Sequence, residues 1–137
     1  MPNYFRKPYG PGWVLVGDAG YNRDFITAQR IMDAFHDAEL CAAALDRAFR
    51  GAQPFDAAMS AYQRARDARV KGMYDLTCML ATLEPAPPRV RQLLGAMHGN
   101  RQAMDAFAQM NAGTIPPAAF FASESVSAIT ASAQRKV

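Results

Sequence analysis

Trp13-Val14-Leu15-Val16 is a short run of bulky apolar residues, stopped by Gly17. A continuous apolar, β-branched run of this length predicts a strand buried on both faces, as in a parallel sheet. Residues 1–12, with Pro8, Gly10, Pro11 and Gly12, are expected to form a loop. From about Thr27 to Arg50 the period becomes helical. Ile31, Phe35, Ala38, Cys41/Ala42, Leu45 and Phe49 recur at spacings of three and four and define the expected apolar face, and Gly51 stops the helix. A second helix should start near Pro54 and bury Phe55, Met59, Tyr62, Met73, Leu76, Leu80 and Leu83, with a bend marked by Gly72. Arg64, Arg66, Arg69 and Lys71 read as its solvated face, and Pro85, Pro87 and Pro88 as its end.

Two further helices follow, over about Arg89–His98 (Val90, Leu93, Leu94, Met97) and Gln102–Asn111 (Met104, Phe107, Met110). Gly113, Pro116 and Pro117 predict a loop. A last amphipathic stretch starts with Ser123 as cap and carries Val126 and Ile129; the alternation Ser125-Val126-Ser127 also fits a strand. The expected fold is therefore mainly α. One short strand precedes a helical bundle, in three segments: 1–12, 13–84 and 85–137. A lone strand leaves backbone groups unpaired, so either this run is really loop or the rest of its sheet lies elsewhere, as in a fragment, a homo-oligomer or a chain completed by a partner.

Composition narrows the function classes. Half of the 137 residues are apolar, and the net charge of +3 is spread along the chain, which gives no basic block for nucleic acid. No apolar run approaches a membrane span, and residues 1–12 lack the apolar core of a secretory leader. Cys41 and Cys78 are expected to be reduced thiols on helix faces in a cytoplasmic protein. His36 and His98 are too few and too far apart for a zinc site, and His36 is expected on a solvated helix surface. No metal site is expected.

The segment with chemical content is Gly17-Asp18-Ala19-Gly20-Tyr21, then Ala28-Gln29-Arg30 opening a helix with Asp33-Ala34 and Asp37-Ala38. A carboxylate at a strand's end is placed to accept hydrogen bonds from sugar-type hydroxyls. The helix start that follows offers free N–H groups and the positive end of a dipole to negative charge.

These residues resemble the second FAD fingerprint of single-component flavin-dependent aromatic monooxygenases, which have a glutathione-reductase-like FAD fold. Gly17, Asp18, Ala19, Gln29, Asp33, Ala34, Asp37, Ala38 and Leu40 match the pattern. The resemblance continues through Ala61-Tyr62-Gln63-Arg64-Ala65-Arg66-Asp67 and covers about residues 12–83. It implies that the strand belongs to the C-terminal part of an α/β FAD-binding fold. It also implies that Asp18 contacts the ribityl chain of FAD, and that the helix start at Ala28, Gln29 and Arg30 faces the flavin end. In that family reduced flavin activates dioxygen and one oxygen atom passes to an organic substrate, with NAD(P)H as the common electron donor. No general base is identified.

Three departures stand out. Phe25 replaces a usual proline, Arg30 replaces a glycine, and no G-x-G-x-x-G motif occurs in the chain. The leading expectation is an FAD-contacting portion of a monooxygenase-like oxidoreductase, incomplete as a catalyst alone. The competing one is a non-catalytic helical interaction module that pairs with another chain.

Overall fold

The computed structural model describes residues 2–134. The chain forms two compact units, Met1–Ala81 and Thr82–Val137, and is mainly α.

The first unit opens with four two-residue strands. β1 (Tyr4–Phe5) pairs antiparallel with β4 (Tyr21–Asn22), and β2 (Tyr9–Gly10) with β3 (Trp13–Val14). This overturns two expectations. Residues 1–12 are not simply loop, since they contain β1 and β2. The Trp13–Val16 run is not a buried parallel strand, since Trp13 is 45% exposed and Val16 38%. Its partner is supplied by the same chain, three to five residues upstream, across the Gly10-Pro11-Gly12 turn. The Leu15 N–H extends the pairing to the Pro8 carbonyl at 2.6 Å. An apolar run is compatible with either setting, because periodicity alone does not say what covers each face.

Helix α1 spans Arg30–Phe49 and α2 spans Phe55–Leu80. The helical turn begun at Phe25–Thr27 does not run on into α1, because Ala28 is left-handed at φ 53°. This explains why α1 starts three residues later than its periodicity suggests. At its far end Gly51 takes φ +71°, and its N–H bonds back to the Ala48 carbonyl, the usual left-handed termination. Helix α2 continues through Gly72 without interruption.

The buried face of α1 keeps Cys41 and, in part, Leu45 of the predicted one but otherwise differs from it. Ile31, Phe35 and Phe49 are 72%, 68% and 80% exposed, whereas Asp33, Asp37, Cys41 and Ala44 are buried. Burial by α2 and the N-terminal loops selects a stripe rotated by about half a turn from the bulky residues, and polar groups on it are tolerated because they find partners. Cys41, Ala44, Ala58, Met59 and Tyr62 form the apolar core of this unit, flanked by Tyr9, Val14, Leu40, Leu45 and Phe55. On α2, Met59, Tyr62 and Met73 are buried as expected, Arg66, Val70 and Thr77 complete the stripe, and Leu80 is exposed; Leu83, expected on this helix, lies beyond its end and is exposed. Arg66 therefore does not belong to a solvated face. Cys41 and Cys78 are both free thiols, the first buried and the second half-buried.

The second unit contains α3 (Pro88–Met97), α4 (Arg101–Asn111), a single turn α5 (Pro117–Phe120) where a loop is predicted, and α6 (Ser123–Gln134). Pro88 and Pro117 each occupy a first helical position, where the missing N–H costs nothing. Asn100 caps α4 by accepting from the Ala103 N–H at 3.2 Å. Leu93, Met97, Ala103, Met110, Phe120 and Ile129 are its buried apolar residues. Its last stretch is a helix rather than a strand, beginning at Ser123 instead of being capped by it. Among the described residues no helix is long and apolar enough to cross a membrane.

Candidate functional site

Gly17-Asp18-Ala19 forms one helical turn directly after the Trp13–Val16 run. Gly17 adopts φ +54°, and a Cβ there would meet the Ala34 Cβ at 3.0 Å, so the turn lies tight against the first turns of α1. Its N–H donates to Asp37 Oδ2 at 3.0 Å. That bond ties the turn to α1 across 20 residues of sequence.

The turn leaves Asp18 pointing outward, with its side chain 56% exposed. Arg30, the first residue of α1, reaches across to it. Nε donates to Oδ1 at 3.0 Å, and Nη2 lies 2.7 Å from Oδ2. The same Nη2 donates to Asn22 Oδ1 at 2.5 Å. Asn22 is itself fixed, buried in β4 and donating from Nδ2 to the Pro2 carbonyl at 2.7 Å. Ala19 is exposed, and its carbonyl accepts from Arg6 Nη1 at 3.4 Å.

Ala28 and Gln29 form the other approach to the site. Asp24 accepts from the Ile26 N–H at 3.0 Å, Ala28 turns left-handed, and Gln29 stands at the cap position of α1 and accepts the Asp33 N–H at 3.1 Å. Of the six residues named from sequence, the structure thus joins Asp18 and Arg30 directly. It places Gly17 and Ala19 on either side of Asp18, and Ala28 and Gln29 immediately before Arg30. Phe25, Ile26, Ile31, Met32 and Phe35 surround the start of α1 and are all substantially exposed.

Beneath this surface lies a buried ionic layer. Arg23, 1% exposed, pairs with Asp33, and Arg69 Nη2 reaches the same carboxylate at 3.3 Å. Arg66, fully buried, donates to Asp67 at 2.7 Å and to the Arg6 carbonyl at 3.3 Å, and stacks over Phe5 and Tyr21 with its guanidinium carbon 5.8 Å from each ring centre. Tyr62 donates from its hydroxyl to the Leu15 carbonyl at 2.8 Å, which holds the apolar run onto α2. Burial pushes the Asp37 carboxyl above its ordinary value, against the pull of the Gly17 N–H and the Arg66 charge. The Tyr21 and Tyr62 phenols are also pushed well upward, mainly by burial and further by the neighbouring carboxylates.

Sequence reasoning missed Arg23 and misplaced Arg66. A signal for Arg66 existed, since Tyr62, Arg66, Val70, Met73 and Thr77 follow one helical stripe. Nothing local marks Arg23. His36 is a surface residue 4.0 Å from Glu39. Among the described residues no group of three His, Cys, Asp or Glu side chains is arranged to hold a metal ion. The second unit carries a shallow groove of about 390 Å³ between α4 and α6, lined by Asn100, Ala103, Ser125, Ile129 and Ser132, and none of the six candidate site residues lies in it.

No family model matches the chain, and no curated protein or solved structure matches it.

Proposed function

We propose that this chain is the FAD-contacting C-terminal portion of a flavin-dependent monooxygenase-like oxidoreductase. The observation that carries the reading is the exposed Asp18 carboxylate, presented on a turn that Asp37 pins to the start of a 20-residue helix. When bound, the flavin supplies the redox chemistry with dioxygen.

The residues present suit the ribityl and ring half of FAD. Asp18 becomes an acceptor for polyol hydroxyls once Arg30, which engages both of its oxygens, is displaced. The start of α1 at Arg30, just after Ala28 and Gln29, directs the positive end of the helix dipole to negative charge on the ring. Exposed Phe25, Ile26 and Ile31 supply an apolar surface for a flat aromatic ring system. The sequence carries no G-x-G-x-x-G motif for the adenosine half, and this reading assigns that half to further protein. NAD(P)H as donor rests on the family resemblance. A cytoplasmic setting accords with two unpaired thiols.

Titration of the full chain with FAD, followed by flavin fluorescence and visible absorbance, tests the reading. Saturable quenching that weakens about tenfold or more in Asp18→Ala is expected, the scale of a charge-assisted hydrogen bond. Binding indifferent to Asp18, or no binding at high micromolar FAD, refutes it.

The exposed apolar group Phe25, Ile26, Ile31, Met32 and Phe35 favours a second reading, a helical module that docks on another chain without catalysis. Under that reading FAD leaves the chain unaffected, and Phe35→Ser abolishes a concentration-dependent association seen by sedimentation velocity.

A further inference from the structure

Arg30 is clamped from two sides. Its guanidinium engages both oxygens of Asp18, at 3.0 and 2.7 Å, while Nη2 also serves the buried Asn22 amide oxygen at 2.5 Å. A paired fork of this kind is geometrically specific and charge-assisted. It fills the carboxylate edge that a hydroxyl-bearing ligand has to approach. The pair is only partly shielded, with side-chain exposures of 27% for Arg30 and 56% for Asp18, so it is weak enough to be opened.

We infer that Arg30 sets the affinity of the Asp18 site, acting as an internal competitor that a neutral polyol chain must displace. This rests on the flavin reading above. It makes Arg30 a specificity-determining residue rather than a catalytic one. A ligand enters only by supplying hydroxyl donors good enough to replace a guanidinium, which weak or poorly shaped polyols do not.

Riboflavin separates this role from its obvious rival. It carries the ring and ribityl chain without phosphate, whereas FAD adds a diphosphate that a freed arginine would attract. The experiment titrates riboflavin and FAD into the wild-type chain, Arg30→Gln, Arg30→Ala, Asp18→Ala and the Asp18→Ala/Arg30→Gln double variant, with far-UV circular dichroism to verify folding of each. The expected result is that both Arg30 variants bind riboflavin and FAD about two- to fivefold more tightly, the range of a partly exposed ion pair. The double variant should show no such gain.

Equal or weaker riboflavin binding by folded Arg30 variants, while wild-type binding still depends on Asp18, overturns the inference and leaves the flavin reading standing. Loss confined to FAD also overturns it, because Arg30 then contacts the diphosphate. No binding by any variant, or binding indifferent to Asp18, overturns both.

Discussion

Replacing Asp37 by alanine removes the fastening of the Asp18 turn. The Gly17 N–H, buried against α1, then loses the carboxylate acceptor it has at 3.0 Å. Leaving a buried donor unsatisfied costs about 1–3 kcal/mol. Part of this is returned, because a carboxylate held away from water, with its ionisation opposed by burial, no longer has to be accommodated. The net expectation is a loss of about 2 kcal/mol, or a fall in Tm of about 10 °C for a unit of this size. Trp13 is the single tryptophan and lies in the first unit, so its fluorescence in urea and on heating follows that unit's unfolding. Asp37→Asn keeps a carbonyl acceptor for Gly17 and should lose less than half as much. The reasoning fails if Asp37→Ala stays within about 0.5 kcal/mol of wild type, or if asparagine is as damaging as alanine.

The same carboxyl makes a pH prediction. Its value in the fold is raised above the ordinary 3.8, so its contribution to stability is fully present below pH 3.8 and is lost as pH rises through the raised value. Urea unfolding of wild type and Asp37→Asn at pH 4, 5, 6 and 7 should show the difference moving in favour of asparagine with rising pH; a difference constant across that range contradicts the assignment. Met59 is fully buried in the core with Cys41, Ala44, Ala58 and Tyr62, so Met59→Ala should cost about 3 kcal/mol in the same Trp13 assay. A cost below about 1 kcal/mol would mean that the core of the first unit is not where the structure puts it.

The helices of this protein are largely local decisions. Gly51, Pro54 and the Pro85–Pro88 group mark starts and stops through backbone constraints that act within a few residues, and α1 ends and α2 and α3 begin close to where those residues predict. The Gly17-Asp18 turn ahead of a helix was equally legible, because a glycine and an acidic residue after an apolar run are local signals. Which face of α1 is buried was not. Bulky Ile31 and Phe35 define the stronger apolar stripe, yet the helix turns Asp33 and Asp37 inward, because Arg23, Arg69 and the Gly17 N–H wait there as partners. Those partners lie 10 to 36 residues away, and no period along the chain encodes them. The strands show the same limit, since two-residue ladders are too short to carry an alternation. The pairing of Arg30 with Asp18 is likewise a product of tertiary structure: sequence supplied both residues, and only the left-handed Ala28 and the packed Gly17 turn brought their charges together.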